Sequence, residues 1–79
     1  MRVEVKAQTD GTLSLLHVET GEKVAAGETV AEAESMKMMY AIEAPANGTL
    51  FWLTPLGAVI GEGDVLAEIE TEGGSDDQR

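Results

Sequence analysis

Gly21-Glu22-Lys23-Val24-Ala25-Ala26-Gly27-Glu28-Thr29-Val30-Ala31-Glu32-Ala33-Glu34 is followed, 36 residues on, by Gly57-Ala58-Val59-Ile60-Gly61-Glu62-Gly63-Asp64-Val65-Leu66-Ala67-Glu68-Ile69-Glu70. The two stretches share one pattern: a glycine, a branched aliphatic, a second glycine, an acid, then an aliphatic-Ala-Glu-x-Glu run. The likeness extends upstream at an offset of 37, where Ala7, Gly11, Thr12, Leu13 and Leu16 return as Ala44, Gly48, Thr49, Leu50 and Leu53. The chain is therefore a tandem repeat, and its period sets the architecture. Each copy reads as an extended piece, a Gly-Thr-Leu strand, a glycine turn, one aliphatic that plugs the core (Val24 or Ile60), another glycine turn and a short final strand. Glycine supplies the positive φ that such tight turns need.

The final strands alternate with period 2, as half-buried strands do. Val30 and Leu66, however, share parity with the glutamates that follow them, so a local bulge or a strand end is expected there. No stretch keeps a helical period, and Gly27 and Thr29 interrupt the helix formers between Ala25 and Met39. The fold class expected is all-β. Two copies of a unit too small to bury its own face pack together with pseudo-twofold symmetry, as a small sandwich or flattened barrel.

Working outward, the two copies meet at Ser35-Met36-Lys37-Met38, with the next strand starting near Met39 and running through Tyr40-Ala41-Ile42-Glu43. Residues 35–38 then form an exposed hairpin connection. Its composition is wrong for a plain turn, which favours Gly, Asn, Asp and Pro. Three of the four methionines sit at 36, 38 and 39. Methionine is flexible and polarizable and suits a surface that adapts to a partner. A lysine at such an apex is an accessible amine. An enzyme using it has to remove the ammonium proton before the nitrogen can attack an activated acyl group.

Composition removes other chemistries. The chain has 79 residues and a formal charge of −10. A domain of this size has a marginal core and little room for a deep pocket. With no cysteine and one histidine, His17, it has no thiol chemistry and too few ligands for a zinc site. His17 reads as an ordinary strand or surface residue, and Tyr40, Phe51 and Trp52 as core or half-buried strand residues. The acids are spread along the chain and read as a solvated surface, and the lack of a basic patch argues against nucleic acid. No apolar stretch is long enough for a signal peptide or a membrane span. The expected location is the cytoplasm, or the mitochondrial matrix if the chain is a piece of a longer one. Residues 1–72 are expected to form the domain and 73–79, Gly-Gly-Ser-Asp-Asp-Gln-Arg, a flexible tail.

Glu34-Ser35-Met36-Lys37-Met38, followed by Ile42-Glu43-Ala44-Pro45-Ala46-Asn47-Gly48-Thr49-Leu50, resembles the biotinyl/lipoyl attachment domain family over roughly residues 3–71. The resemblance implies two facing four-stranded sheets with a modified lysine on an exposed hairpin. Fold alone does not choose the cofactor. The lipoyl motif has Asp before and Ala after its lysine, whereas methionine on both sides of Lys37 matches the biotin pattern. Lys37 is then the covalent biotin site, with Met36 and Met38 as ligase-recognition residues and Glu34 and Met39 as further candidates.

By the same resemblance, the partners are a biotin protein ligase, a biotin carboxylase and a carboxyltransferase or decarboxylase. The chain itself carries no catalytic residue. Ser35 stands where Ala or Val is common, and Gln8-Thr9-Asp10-Gly11 replaces a Pro-Met-x-Gly type of segment. The first repeat runs from Gly11 to Gly21 with no room for a thumb-like insertion, as in compact carriers. A lipoyl carrier of a 2-oxo acid dehydrogenase or glycine cleavage system, or a non-carrier interaction domain that kept the fold, are the alternatives.

Overall fold

The structure, a computed structural model, describes residues 1–71. The expected boundary at 72 and tail at 73–79 lie outside the described residues. Eight strands follow in order: β1 (Arg2–Lys6), β2 (Gly11–Leu16), β3 (Lys23–Val24), β4 (Thr29–Ser35), β5 (Met38–Glu43), β6 (Gly48–Trp52), β7 (Val59–Ile60) and β8 (Val65–Glu70). They form two antiparallel four-stranded sheets, one ordered β1-β8-β6-β3 and the other β5-β4-β2-β7. Replacing each strand by its repeat partner (β1 by β5, β8 by β4, β6 by β2, β3 by β7) turns one order into the other. The repeat is thus the symmetry of the fold, and each copy supplies two strands to each sheet.

The hydrogen bonds between the copies come in matched pairs. Gly27 N–H donates to the Ala44 carbonyl and Gly63 N–H to the Ala7 carbonyl, both at 2.8 Å. These two glycines have φ of 88° and 89°, a conformation that costs an L side chain about 1–2 kcal/mol. Asn47 Oδ1 accepts from Ala26 N–H at 2.7 Å, and Asp10 Oδ1 accepts from Glu62 N–H at 3.0 Å. Asp10 therefore does in its turn what Asn47 does in the other, so the unusual Gln8-Thr9-Asp10-Gly11 segment keeps the same closure.

The core also comes in pairs: Val5 and Ile42, Leu13 and Leu50, Val24 and Ile60, Val30 and Leu66, Ala33 and Ile69 are all buried. The parity conflict in the sequence is resolved by bulges. β4 shifts register against β5 between Thr29 and Ala31, which lets Val30 and Ala31 both turn inward. β8 shifts likewise against β1, with Val65 and Ala67 opposite consecutive residues of β1, so Leu66 and Ala67 are both buried. Trp52 and Tyr40 are partly buried against the core. Phe51 faces outward and is 38% exposed, because it shares its face with Glu68 rather than with Leu50.

Candidate functional site

The β4–β5 hairpin places the residues singled out by sequence at one end of the molecule. Ser35 pairs with Met38, so the connection is two residues, Met36 and Lys37, rather than the four expected. Met38 is the first residue of β5. Met36 and Lys37 have φ of 48° and 73°. Positive φ at both central residues of a two-residue hairpin is the type I′ arrangement, whose twist matches that of the flanking strands. Neither residue is glycine or asparagine. The rest of the ladder imposes the conformation, through Glu34↔Met39, Ala33↔Tyr40, Glu32↔Ala41 and Ala31↔Ile42.

Lys37 is exposed and makes no hydrogen bond or ion pair with any described residue. Met36 and Met38 are 93% and 71% exposed. Their side chains contribute almost nothing to the core, so burial does not account for their presence. Glu34 and Met39 lie opposite each other one ladder pair further down, and Met39 is 50% exposed. An accessible primary amine on a projecting tight turn fits a group attached through an amide. No described residue crowds it or pairs with its charge.

Tyr40 anchors the base of the hairpin. Its hydroxyl donates to the Thr9 carbonyl at 2.9 Å. Burial, and then the negative charge of Asp10, push its pKa above the ordinary tyrosine value. Beside the hairpin lies an open groove, lined in part by Asp10, Thr12, Glu34, Met36, Val59 and Ile60. Val59 was not among the residues the sequence reading singled out. The repeat carries the signal, since Val59 stands where the first copy has Lys23.

The remaining candidates are structural. His17 lies at the surface with Nε2 2.7 Å from Glu32 Oε2. Among the described residues no group of three or more acids or histidines could hold a metal ion, and no helix is long and apolar enough to cross a membrane.

Residues 15–69 match the family model described as biotin-requiring enzyme. The chain is 36% identical over 63 residues to the acetyl-CoA carboxylase of Schizosaccharomyces pombe, covering 80% of this chain and 3% of that protein. It is 38% identical over 66 residues to the biotin/lipoyl attachment protein of Bacillus subtilis, covering 82% of this chain and 90% of that one. Among solved structures, the lipoyl domain of the 2-oxoglutarate dehydrogenase complex from Azotobacter vinelandii matches with a TM-score of 0.70 at 22% identity, over 87% of this chain and 99% of that one. At that identity the likeness concerns the fold. The chain thus spans nearly all of a small attachment protein and a small fraction of the yeast carboxylase.

Proposed function

The chain belongs to the biotinyl/lipoyl attachment family, and from that membership we propose that it is a biotin carboxyl carrier with Lys37 as the attachment residue. The observation that carries this reading is the exposed Lys37 amine, unpaired among the described residues, on a two-residue turn between two exposed methionines. When bound as an amide, biotin supplies a ureido nitrogen that can carry a carboxyl group. The chain's own residues hold and present that group. The type I′ turn lifts the Lys37 backbone clear of the barrel, and the paired strands beneath it give the arm a fixed base. Met36 and Met38 offer polarizable apolar contacts to whatever enzyme closes over the amine.

A biotin protein ligase would act on the amine after its proton is removed. A biotin carboxylase and a carboxyltransferase would act in turn on the loaded arm. Tethering raises the effective concentration of the group at each partner without any catalytic residue here. The acetyl-CoA carboxylase relative supports a carboxylase as host. The lipoyl fold neighbour keeps lipoate as the competing cofactor, and methionine on both sides of Lys37 favours biotin. Avidin capture of the chain after incubation with biotin protein ligase, biotin and ATP tests the reading. Capture of wild type and none of Lys37→Arg supports it. Equal capture of both, or of neither, contradicts it.

A further inference from the structure

The groove beside the hairpin differs from its repeat counterpart in ways that the fold does not require. Val59 stands where the first copy has Lys23, and Gly61 where it has Ala25. Val59 is 85% exposed, a branched aliphatic on a two-residue edge strand. Gly61 has no positive φ, and a Cβ there would meet nothing nearer than Asp64 Oδ2 at 3.6 Å. Both exchanges take charge or bulk away from one wall of the groove.

The opposite wall is Glu34, Ser35 and Met36, the residues that lead into Lys37. The groove offers about 540 Å³, within the range of small-molecule sites, but it is wide open to solvent. Among the described residues no lysine or arginine lines it. The Glu34 carboxylate has no hydrogen-bond or ion-pair partner among the described residues. Its repeat counterpart Glu70, by contrast, accepts from Arg2 Nε at 2.8 Å. The groove thus holds an unused acceptor between apolar side chains, with Lys37 one residue beyond its wall.

We propose that the groove is a resting site for the biotinyl group on this chain's own Lys37, so the inference rests on the carrier reading. Biotin's ureido ring is neutral and offers N–H donors, and Glu34 supplies the carboxylate that accepts from them. Its thioether ring and valeryl chain are apolar, and Met36 and Val59 supply the cover. Glu34 lies about 7 Å below the turn, and Val59 two strands across from it, about 10 Å. The lysine stem, the amide and the valeryl chain, when extended, reach both. An open groove holds a free small molecule only weakly. A short tether sets an effective concentration in the millimolar range, so a site with a dissociation constant of about 1 mM is occupied roughly half the time. Loose retention suits a group that must leave for each partner. Lipoate, whose dithiolane ring has no N–H, leaves the Glu34 carboxylate unanswered, so the site selects biotin.

Amide NMR of the chain before and after loading with excess biotin protein ligase tests this, with loading confirmed by intact mass. In the wild type, attachment should shift the amides of Gly11, Thr12, Val59 and Gly61 as well as those of the turn. Nuclear Overhauser contacts should join the biotin rings to the Val59 methyls. Val59→Lys copies the side chain that the same fold carries at Lys23, and it should confine the shifts to residues 36–39. Glu34→Gln, which keeps the side-chain shape, should reduce the groove shifts roughly twofold. Shifts limited to the turn in loaded wild type, or groove shifts undiminished in both variants, overturn the resting site and leave the carrier reading standing. A wild type that takes up no biotin overturns both.

Discussion

At the scale of single residues, chemistry and backbone geometry oppose each other at the hairpin tip. Met36 and Lys37 occupy positive φ, where glycine and asparagine sit at least cost. Turn closure alone does not account for either residue at these positions. Lys37→Gly should therefore raise unfolding stability by about 1 kcal/mol in urea titration while abolishing attachment. The position of Lys37 at the seam was readable from the repeat. The turn type was not, because Met-Lys carries none of the chemistry that normally announces a type I′ turn. Tyr40 gives a second residue-level expectation. Its raised pKa means the neutral phenol is favoured by folding. That stabilisation is intact below about pH 10 and is lost as pH climbs from the ordinary tyrosine value through the raised one. Tyr40→Phe should flatten the alkaline limb of the stability curve, and should cost about 1 kcal/mol at neutral pH through the lost bond to Thr9.

At the scale of elements, the strands are placed by alternation and corrected by bulges. Leu13 and Leu50 occupy matched positions on β2 and β6, and both are completely buried. Leu13→Ala should cost about 2–5 kcal/mol by denaturant melt, and Leu50→Ala a similar amount, since each removes an equivalent part of one shared core. The conflict of parity at Val30 and Leu66 was legible and left a bulge or a strand end open; the ladder registers make it a bulge in both copies. Two consecutive aliphatic residues can face inward only if the ladder skips one, and the register shows the skip at each place. The length of the hairpin was not legible. Ser35 and Met38 have no residue signature that marks them as the last ladder pair, and only the pairing register makes them so. Phe51 illustrates a further limit: an aromatic in a strand reads as core or half-buried, but its parity relative to Leu50 puts it on the outer face, 38% exposed.

At the scale of the whole molecule, two near-copies of one unit diverged at corresponding ends. Arg2, at the chain start, clasps Glu68 and Glu70 on the last strand, and the terminal amine lies 3.4 Å from Glu70. Hydrogen bonding from Arg2, and then from the terminal amine, holds the Glu70 carboxyl below its ordinary value. A lowered carboxyl contributes stability above its ordinary range, and that contribution is lost as pH falls through the lowered value. Arg2→Ala should accordingly remove part of the acid sensitivity below about pH 4, a small effect for so exposed a pair. At the symmetry-related end the chain runs on through Met36 and Lys37, and the clasp gives way to an open, apolar-flanked carboxylate. The repeat made this symmetry visible from sequence; the differences between its copies, Lys23 against Val59 above all, needed the strand register to acquire meaning. The central claim, that Lys37 carries biotin, is tested most directly by the intact mass of the chain after co-expression with biotin protein ligase and lipoate ligase together. One biotinyl group on wild type and none on Lys37→Arg is the predicted result; a lipoyl group, or an unmodified wild type, would contradict it.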